Sequence, residues 1–251
     1  MDIAHLALVG AAALAGGAVN AIAGGGSLIT FPTLLACGIP AVTASATNTV
    51  ALCPGYLGAA LAQKRDMAGQ GGRAWRVLPA AAVGGLAGAL LLLHTSAKAF
   101  DVVVPFLLLV AVILIGVQDR MRTFLLGRTR AGHGDFLAAV LVGIGAIYGG
   151  YFGAGLGVIV LAVLAIVVDE PLVRLNAFKQ YVSLAVNVAA AATFVAIARL
   201  EWSVVIAMAA TSLIGGVIGG AIASRVSAKL LRAIVMLIGS AVSAVYFVKL
   251  F

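Results

Sequence analysis

Ala23-Gly24-Gly25-Gly26-Ser27-Leu28 interrupts one apolar run, and Ala154-Gly155-Leu156-Gly157-Val158 interrupts another 131 residues later. The same offset carries Pro40 onto Pro171. It carries Gly84, Gly85 and Gly88 onto Gly215, Gly216 and Gly219, and Ser96-Ala97-Lys98 onto Ser227-Ala228-Lys229. One ungapped offset over so many positions marks an internal duplication. Hydrophobic residues make up 63% of the chain, charged residues only 10%, and mean hydropathy is +1.19. Such a chain cannot cover itself with polar groups, so its solvent is lipid. Glycine, at 31 of 251 residues, exceeds the ordinary share of about 7%, as expected where membrane helices approach closely. A duplicated apolar chain of this kind suggests a transporter with its site where the repeats meet.

Working outward from the two breaks, five apolar segments fall in each half. They run at about 3–23, 27–37, 41–62, 75–94 and 99–117, then at about 136–154, 158–168, 172–198, 202–224 and 229–250. Most are long enough to span, since roughly 20 helical residues cross ~30 Å of hydrocarbon. The segments 27–37 and 158–168 reach about half way on the same rise per residue. Each follows a glycine-rich break and ends near Pro40 or Pro171, and so is expected as a half-helix or re-entrant piece. Broken backbone at that depth is tolerated where protein buries it or it lines a cavity. The expected organisation is a first membrane repeat at 1–118, a basic cytoplasmic linker at 119–135 and a second repeat at 136–251.

Loop charges set the orientation. The 63–76 loop carries Lys64, Arg65, Arg73 and Arg76, whereas its counterpart around 199–203 carries only Arg199. The 94–101 loop has Lys98 alone, against Arg225, Lys229 and Arg232 in its counterpart. The linker holds Arg120, Arg122, Arg128 and Arg130. If positive loops face the cytoplasm, matching loops of the two halves lie on opposite sides. The fold expected is therefore an all-α polytopic membrane protein of two inverted-topology repeats, with both termini outside. Lys249 is a mild objection to placing the C-terminus there. The net charge of +8 is explained by these loops and does not indicate a nucleic-acid partner. The first apolar stretch follows Asp2 and His5 rather than a basic region, and belongs to the repeat, so a cleavable signal peptide is not expected.

Several chemistries are disfavoured by what the chain lacks. Cys37 and Cys53 lie in apolar segments, which suits neither a disulfide framework nor a metal site. His5, His94 and His133 are widely spaced near segment ends, with no metal-ligand or hydrolase motif around them. The glycine breaks are neither a P-loop nor a dinucleotide fingerprint, since no strand precedes them and no Gly-Lys-Ser/Thr follows. No enzyme activity, cofactor or metal is expected. All eight acids (Asp2, Asp66, Asp101, Asp119, Asp135, Asp169, Glu170 and Glu201) fall at segment ends or in loops. A relay through a carboxylate in mid-membrane is therefore disfavoured.

What remains points to an anion. Gly24, Gly25 and Gly26 free the backbone to unwind, and Ser27 is placed to cap the short helix that follows. A helix N-terminus with free N–H groups is an anion site. Gly153 and Gly155 stand at the equivalent place in the second half, flanked by Tyr148 and Tyr151. Close helix packing is the competing explanation for these glycines. Past each proline comes a polar stretch: Thr43, Ser45, Thr47, Asn48 and Thr49 in one half, Asn176, Lys179, Gln180, Ser183 and Asn187 in the other. The second set follows i, i+3/i+4 spacing and shares one helical face. Asn48 and Lys179 are repeat counterparts. A charge inside a membrane helix is costly and marks function by default. The alternatives for Lys179 are snorkelling to the headgroups or pairing with Asp169 or Glu170. Expected site residues are Gly24, Gly25, Gly26, Ser27, Thr47, Asn48, Tyr151, Gly153, Gly155, Asn176, Lys179 and Gln180.

Gly17-x-x-Asn20-x-x-Ala23-Gly24-Gly25-Gly26-Ser27-Leu28, followed by Pro32, Gly38, Pro40 and Ala46-Thr47-Asn48, resembles the first-half signature of the sulfite exporter TauE/SafE family. Gly149-Gly150-Tyr151-Phe152-Gly153-Ala154-Gly155 with Asn176-Ala177-Phe178-Lys179 is similar to a common subgroup of it. The resemblance covers nearly the whole chain. It implies a multi-pass transporter of sulfite, organosulfonates or small carboxylates in a cell membrane, a prokaryotic inner membrane being expected. The implied partners are a small anion, the bilayer and, as an option, a second copy of the chain. A small-anion channel would need the same residues, and a non-transporting subunit is a further alternative.

Overall fold

The computed structural model describes residues 2–125, 134–226 and 228–250. Ten α-helices follow in order: α1 (Ile3–Ile22), α2 (Ser27–Ala36), α3 (Ala41–Ala62), α4 (Gly71–His94), α5 (Ala97–Leu125), α6 (Gly134–Tyr151), α7 (Leu156–Val167), α8 (Leu172–Ile197), α9 (Trp202–Ile222) and α10 (Ala228–Leu250). One turn of 3-10 helix at Lys64–Met67 joins α3 to α4. The described residues contain no strand. Seven of the helices contain a stretch long and apolar enough to cross a membrane. The polar helix α3 and the short helices α2 and α7 are the three outside that set.

The breaks form where the glycines stand. Gly24 and Gly155, repeat counterparts, take the left-handed conformation at φ 85° and 81°, which side chains with a Cβ disfavour. Pro40 and Pro171 precede α3 and α8 with nearly identical backbone angles. α2 has 10 residues and α7 has 12, so each spans about half of the hydrocarbon. Other boundaries moved. α4 begins at Gly71, so its basic first turns are helical and serve the ion pairs described below. α5 continues to Leu125, placing 119–125 of the expected linker in helix; 126–133 lie outside the described residues.

Packing interleaves the halves. α4 lies against α6 and α8, while α9 lies against α1 and α3. α5 pairs with α10 and α3 with α8; α2 meets α10 and α7 meets α5. Exchanging each helix for its repeat counterpart returns the same set of contacts. The repeated glycine trios explain how the interleaving is possible. Gly84, Gly85 and Gly88 of α4 face backbone at Gly143, Val186 and Ile147. Gly215, Gly216 and Gly219 of α9 face backbone at Leu14, Gly55 and Ala18. A Cβ added at any of the six would fall within 3.0 Å of a backbone atom. Large apolar side chains such as Leu57, Phe106, Ile144, Ile206 and Leu237 stay exposed on the outer surface, as a lipid solvent permits.

Polar contacts gather at the ends of the helices. At one end, Arg73 Nε and Arg76 Nη1 reach Asp135 at 3.0 and 3.2 Å. Arg174 Nη1 pairs with Glu170 at 2.9 Å, and Arg73 Nη1 reaches the same residue at 3.8 Å. Gln70 donates to the Arg174 carbonyl at 3.2 Å, and Arg174 donates to the Ala68 carbonyl. These contacts tie the Lys64–Met67 turn and the start of α4 to the starts of α6 and α8. Elsewhere the backbone N–H of Glu201 donates to Thr47 Oγ1 at 3.3 Å, and Tyr151 donates to Thr95 Oγ1 at 3.4 Å.

Candidate functional site

Cutting a helix at Gly24 leaves the last carbonyls of α1 without intrahelical donors. The chain satisfies one locally, since Ala23 and Gly24 both donate to Val19 O. The next two are satisfied by α8, from the other half. Lys179 Nζ donates to Asn20 O at 3.3 Å. Gln180 Nε2 donates to Ala21 O at 2.7 Å, and Asn176 Nδ2 reaches the same carbonyl at 3.3 Å. Asn176 also donates to Gln63 Oε1 at 2.9 Å. Of the polar face read from the 176, 179, 180, 183 and 187 spacing, Asn176, Lys179 and Gln180 cap the cut end of α1, while Asn187 donates to the Ser183 carbonyl within α8.

Both breaks converge on this point. A Cβ added at Gly157 would lie 2.9 Å from Gly24 Cα and 3.4 Å from Lys179 Cδ. The two unwound segments therefore touch backbone to backbone, with the Lys179 stem beside them. Phe152 of the second break stacks edge-on with Phe31 of α2 at 5.1 Å.

Lys179 is 1% exposed. Among the described residues its ammonium has no ion pair. Glu170, one of the partners considered from the sequence, is engaged by Arg73 and Arg174 instead, and Asp169 is exposed. Snorkelling is likewise ruled out by the burial. The carbonyl end of α1 offers partial negative charge worth up to about 2 kcal/mol in buried geometry. A lysine at the centre of a membrane helix costs at least about 2.5–3.5 kcal/mol. The cap thus offsets part of that cost.

Other expected residues stand differently. Ser27 does not cap α2: it is the first helical residue, behind Gly26, and no side chain bonds as that cap. Asn20 Oδ1 accepts the Gly26 N–H at 2.7 Å instead, so the turn is closed from α1. Thr47 is buried but its hydroxyl accepts from Glu201, and Tyr151 turns toward Thr95; neither bonds to the Lys179 group. Gly153 carries a positive φ, and Tyr148 donates to the neighbouring Ala154 carbonyl at 2.7 Å. Asn48 is buried with Oδ1 unpartnered.

Asn48 is one of five buried polar side-chain atoms without a partner among the described residues. The others are Ser45 Oγ, Gln63 Nε2, Gln180 Oε1 and Ser183 Oγ. All five belong to α3, its C-cap, or α8, the pair of helices that meets across the two halves. Asn20 and Gln63 were not singled out from the sequence. Asn20 had a signal, since it lies in the motif before the break; Gln63 had none beyond its place at a helix end. No group of metal-ligating side chains occurs among the described residues.

A model of the family described as sulfite exporter TauE/SafE matches residues 8–246. The chain belongs to this family. A "probable membrane transporter protein" of Haemophilus influenzae is 28% identical over 90% of this chain and 88% of its own length. The "probable membrane transporter protein YfcA" of Escherichia coli K12 is 25% identical, over 92% of this chain and 86% of its own. A third relative, the "probable membrane transporter protein ORF9" of a Sinorhizobium species, is 25% identical over 95% and 90%. No solved structure matches the chain. Together with the seven spanning-length helices, family membership makes this a multi-pass membrane transporter of the cell membrane, and not an enzyme.

Proposed function

We propose that the protein carries a small anion, with sulfite or another sulfur oxyanion or organosulfonate the first choice, by alternating access between two inverted-topology repeats. The observation that carries the proposal is Lys179, a buried lysine without an ion pair among the described residues, set where the two backbone breaks touch. A positive site closed to solvent suits a carrier's occluded state; an open channel has no need of one. Small carboxylates would meet the same donors, so they stand as the second substrate class. The membrane potential would favour export of such an anion by about 2.3 kcal/mol per charge per 100 mV.

The contacts support inversion. Past the C-terminal end of α3 and the Lys64–Met67 turn, Gln70 and Arg73 reach the starts of α8 and α6. Glu201, the repeat counterpart of Gln70 just past that turn, follows α8 and instead meets Thr47 near the N-terminal end of α3. Equivalent contacts thus sit at opposite ends of one helix. The Arg73–Asp135 and Arg174–Glu170 group would close the basic end. Partly exposed pairs of this kind are worth about 0–1 kcal/mol each, weak enough for thermal opening.

Two experiments test these statements. The purified chain in liposomes should show saturable flux and counterflow with at least one of sulfite, thiosulfate, sulfoacetate, sulfate and acetate. Conductance far above carrier turnover would favour a channel, and no flux with any anion would sink the proposal. For topology, Gly72→Cys and Ser203→Cys place single thiols at exposed repeat counterparts in a background free of Cys37 and Cys53. An impermeant reagent should reach them from opposite sides of the membrane. Labelling of both from one side would overturn the inversion.

A further inference from the structure

We propose that the site selects an oxyanion that is singly charged and still carries a proton: one oxygen bare for Lys179, another presenting O–H to Gln180. This rests on the anion-carrier proposal and specifies which anion species is recognised.

The orientation of the Gln180 amide is chemically fixed. Its Nε2 lies 2.7 Å from Ala21 O, and a flipped amide would set two carbonyl oxygens against each other at that distance. Oε1 must therefore be the free end. It is fully buried, at 0% exposure, and accepts no hydrogen bond among the described residues. A buried acceptor without a donor is costly, and an O–H from a ligand held beside Lys179 would relieve that cost. Lys179 Nζ, from the adjacent residue of α8, sits on the adjacent carbonyl, Asn20 O. That bond uses one of its three N–H donors. The two heads are thus held side by side on consecutive carbonyls of the cut end of α1. One turn further along α8, Ser183 Oγ is also buried and without a partner among the described residues, and its hydroxyl can act in either sense.

The pair is complementary in a particular way. Lys179 offers donors and charge to a negatively charged oxygen. Gln180 Oε1 repels such an oxygen unless a hydrogen stands between them. A fully deprotonated dianion would satisfy the lysine and clash electrostatically with the glutamine. A monoanion without O–H would leave Oε1 orphaned. A hydrogen-oxyanion meets both, in the manner of sites that reject analogues lacking a required hydroxyl because a buried partner is then left unpaired.

The test compares anions with the purified full chain. Hydrogensulfite and methanesulfonate carry one charge each and present oxygens on sulfur, but only the former has a labile proton to donate. Titration calorimetry should show hydrogensulfite bound on the order of ten-fold or more tightly, the worth of a hydrogen bond near a charged group. Across a pH series, the ratio of total-sulfite to methanesulfonate affinity should follow sulfite's monoprotonated fraction, since any titration of the protein affects both anions, and sulfate should bind weakly. Gln180→Met should bring the two monoanions to within about two-fold while Lys179-dependent binding persists. Equal affinities in the wild type, or sulfite affinity rising relative to methanesulfonate as the dianion forms, would overturn the selection while leaving the carrier intact. Failure of every anion to bind would remove both. Should Gln180→Met not fold, the wild-type comparison and pH series decide alone.

Discussion

Lys179→Met abolishes high-affinity anion binding while leaving the transporter in the membrane. The methionine keeps most of the unbranched stem that lies along Gly157 and deletes the charge. Truncating one partner of a buried, hydrogen-bonded charge pair costs about 2–5 kcal/mol, a loss of roughly 30- to several-thousand-fold in affinity. The same change strips Asn20 O of its donor, so a second effect is expected. The carbonyl end of α1 loses a cap worth about 0.3–2 kcal/mol, and melting in detergent falls by a few degrees. The two effects separate with Asn176→Ala, which weakens the cap at Ala21 O but leaves the ammonium. That variant should lose stability and keep most of its affinity. Asn48→Ala should weaken binding less than Lys179→Met, because a neutral group contributes about 0.5–1.5 kcal/mol. Wild-type affinity for sulfite or sulfoacetate in Lys179→Met would refute the charge role and leave capping as the whole purpose of the residue.

The distinction matters because capping could not be read from the sequence. Periodicity gives α8 one polar face, and the duplication gives Lys179 and Asn48 equivalent places. Neither says that the face of α8 meets the end of α1 rather than the start of α2. That depends on which helices neighbour each other, and here the fourth helix of each half packs into the other half. Interleaving leaves no local trace, because any glycine stripe suits any close helix neighbour. Ser27 illustrates the same limit from the other side. A serine before a short helix is a good N-cap on propensity, yet Asn20 Oδ1 takes the Gly26 N–H from six residues upstream and the helix starts at Ser27. By contrast, the breaks, the half-length helices and their prolines were legible residue by residue. Each is enforced by backbone geometry: φ near +80° at Gly24 and Gly155, and a ring that fixes φ at Pro40 and Pro171. The asymmetry between halves was legible too, but not its consequence. Tyr148, from its own helix, serves the Ala154 carbonyl at the second break. The first break instead draws Lys179 and Gln180 from the opposite half.

Gly216→Val prevents assembly of the interleaved bundle. Gly216 lies where α9 crosses α3, and an added Cβ would run into the Gly55 backbone carbonyl and its carbon. The obstacle is main chain, which cannot turn aside as a side chain would, so relief requires the helices to separate. Separation also opens the neighbouring contacts, since Gly215 and Gly219 seat α9 against α1 at Leu14 and Ala18. Overpacking a core by a methylene typically costs about 1–3 kcal/mol; a β-branched residue set against the Gly55 backbone exceeds that range. In a membrane the loss is not replaced by a hydrophobic force, because lipid is as apolar as the displaced glycine face and close packing is itself the source of association. Purified Gly216→Val should therefore appear as aggregate on size exclusion, with little folded material. Gly72→Ala is the matched control: nothing lies within 4 Å of the added atom and the backbone there is not left-handed, so yield and melting should match wild type. Gly85→Val, the repeat counterpart facing Val186, should fail as Gly216→Val does. Its failure would show that both crossings are needed, because each half supplies the helix that completes the other. Folded, monodisperse protein from either valine variant would mean that the fourth helices do not interleave in this way.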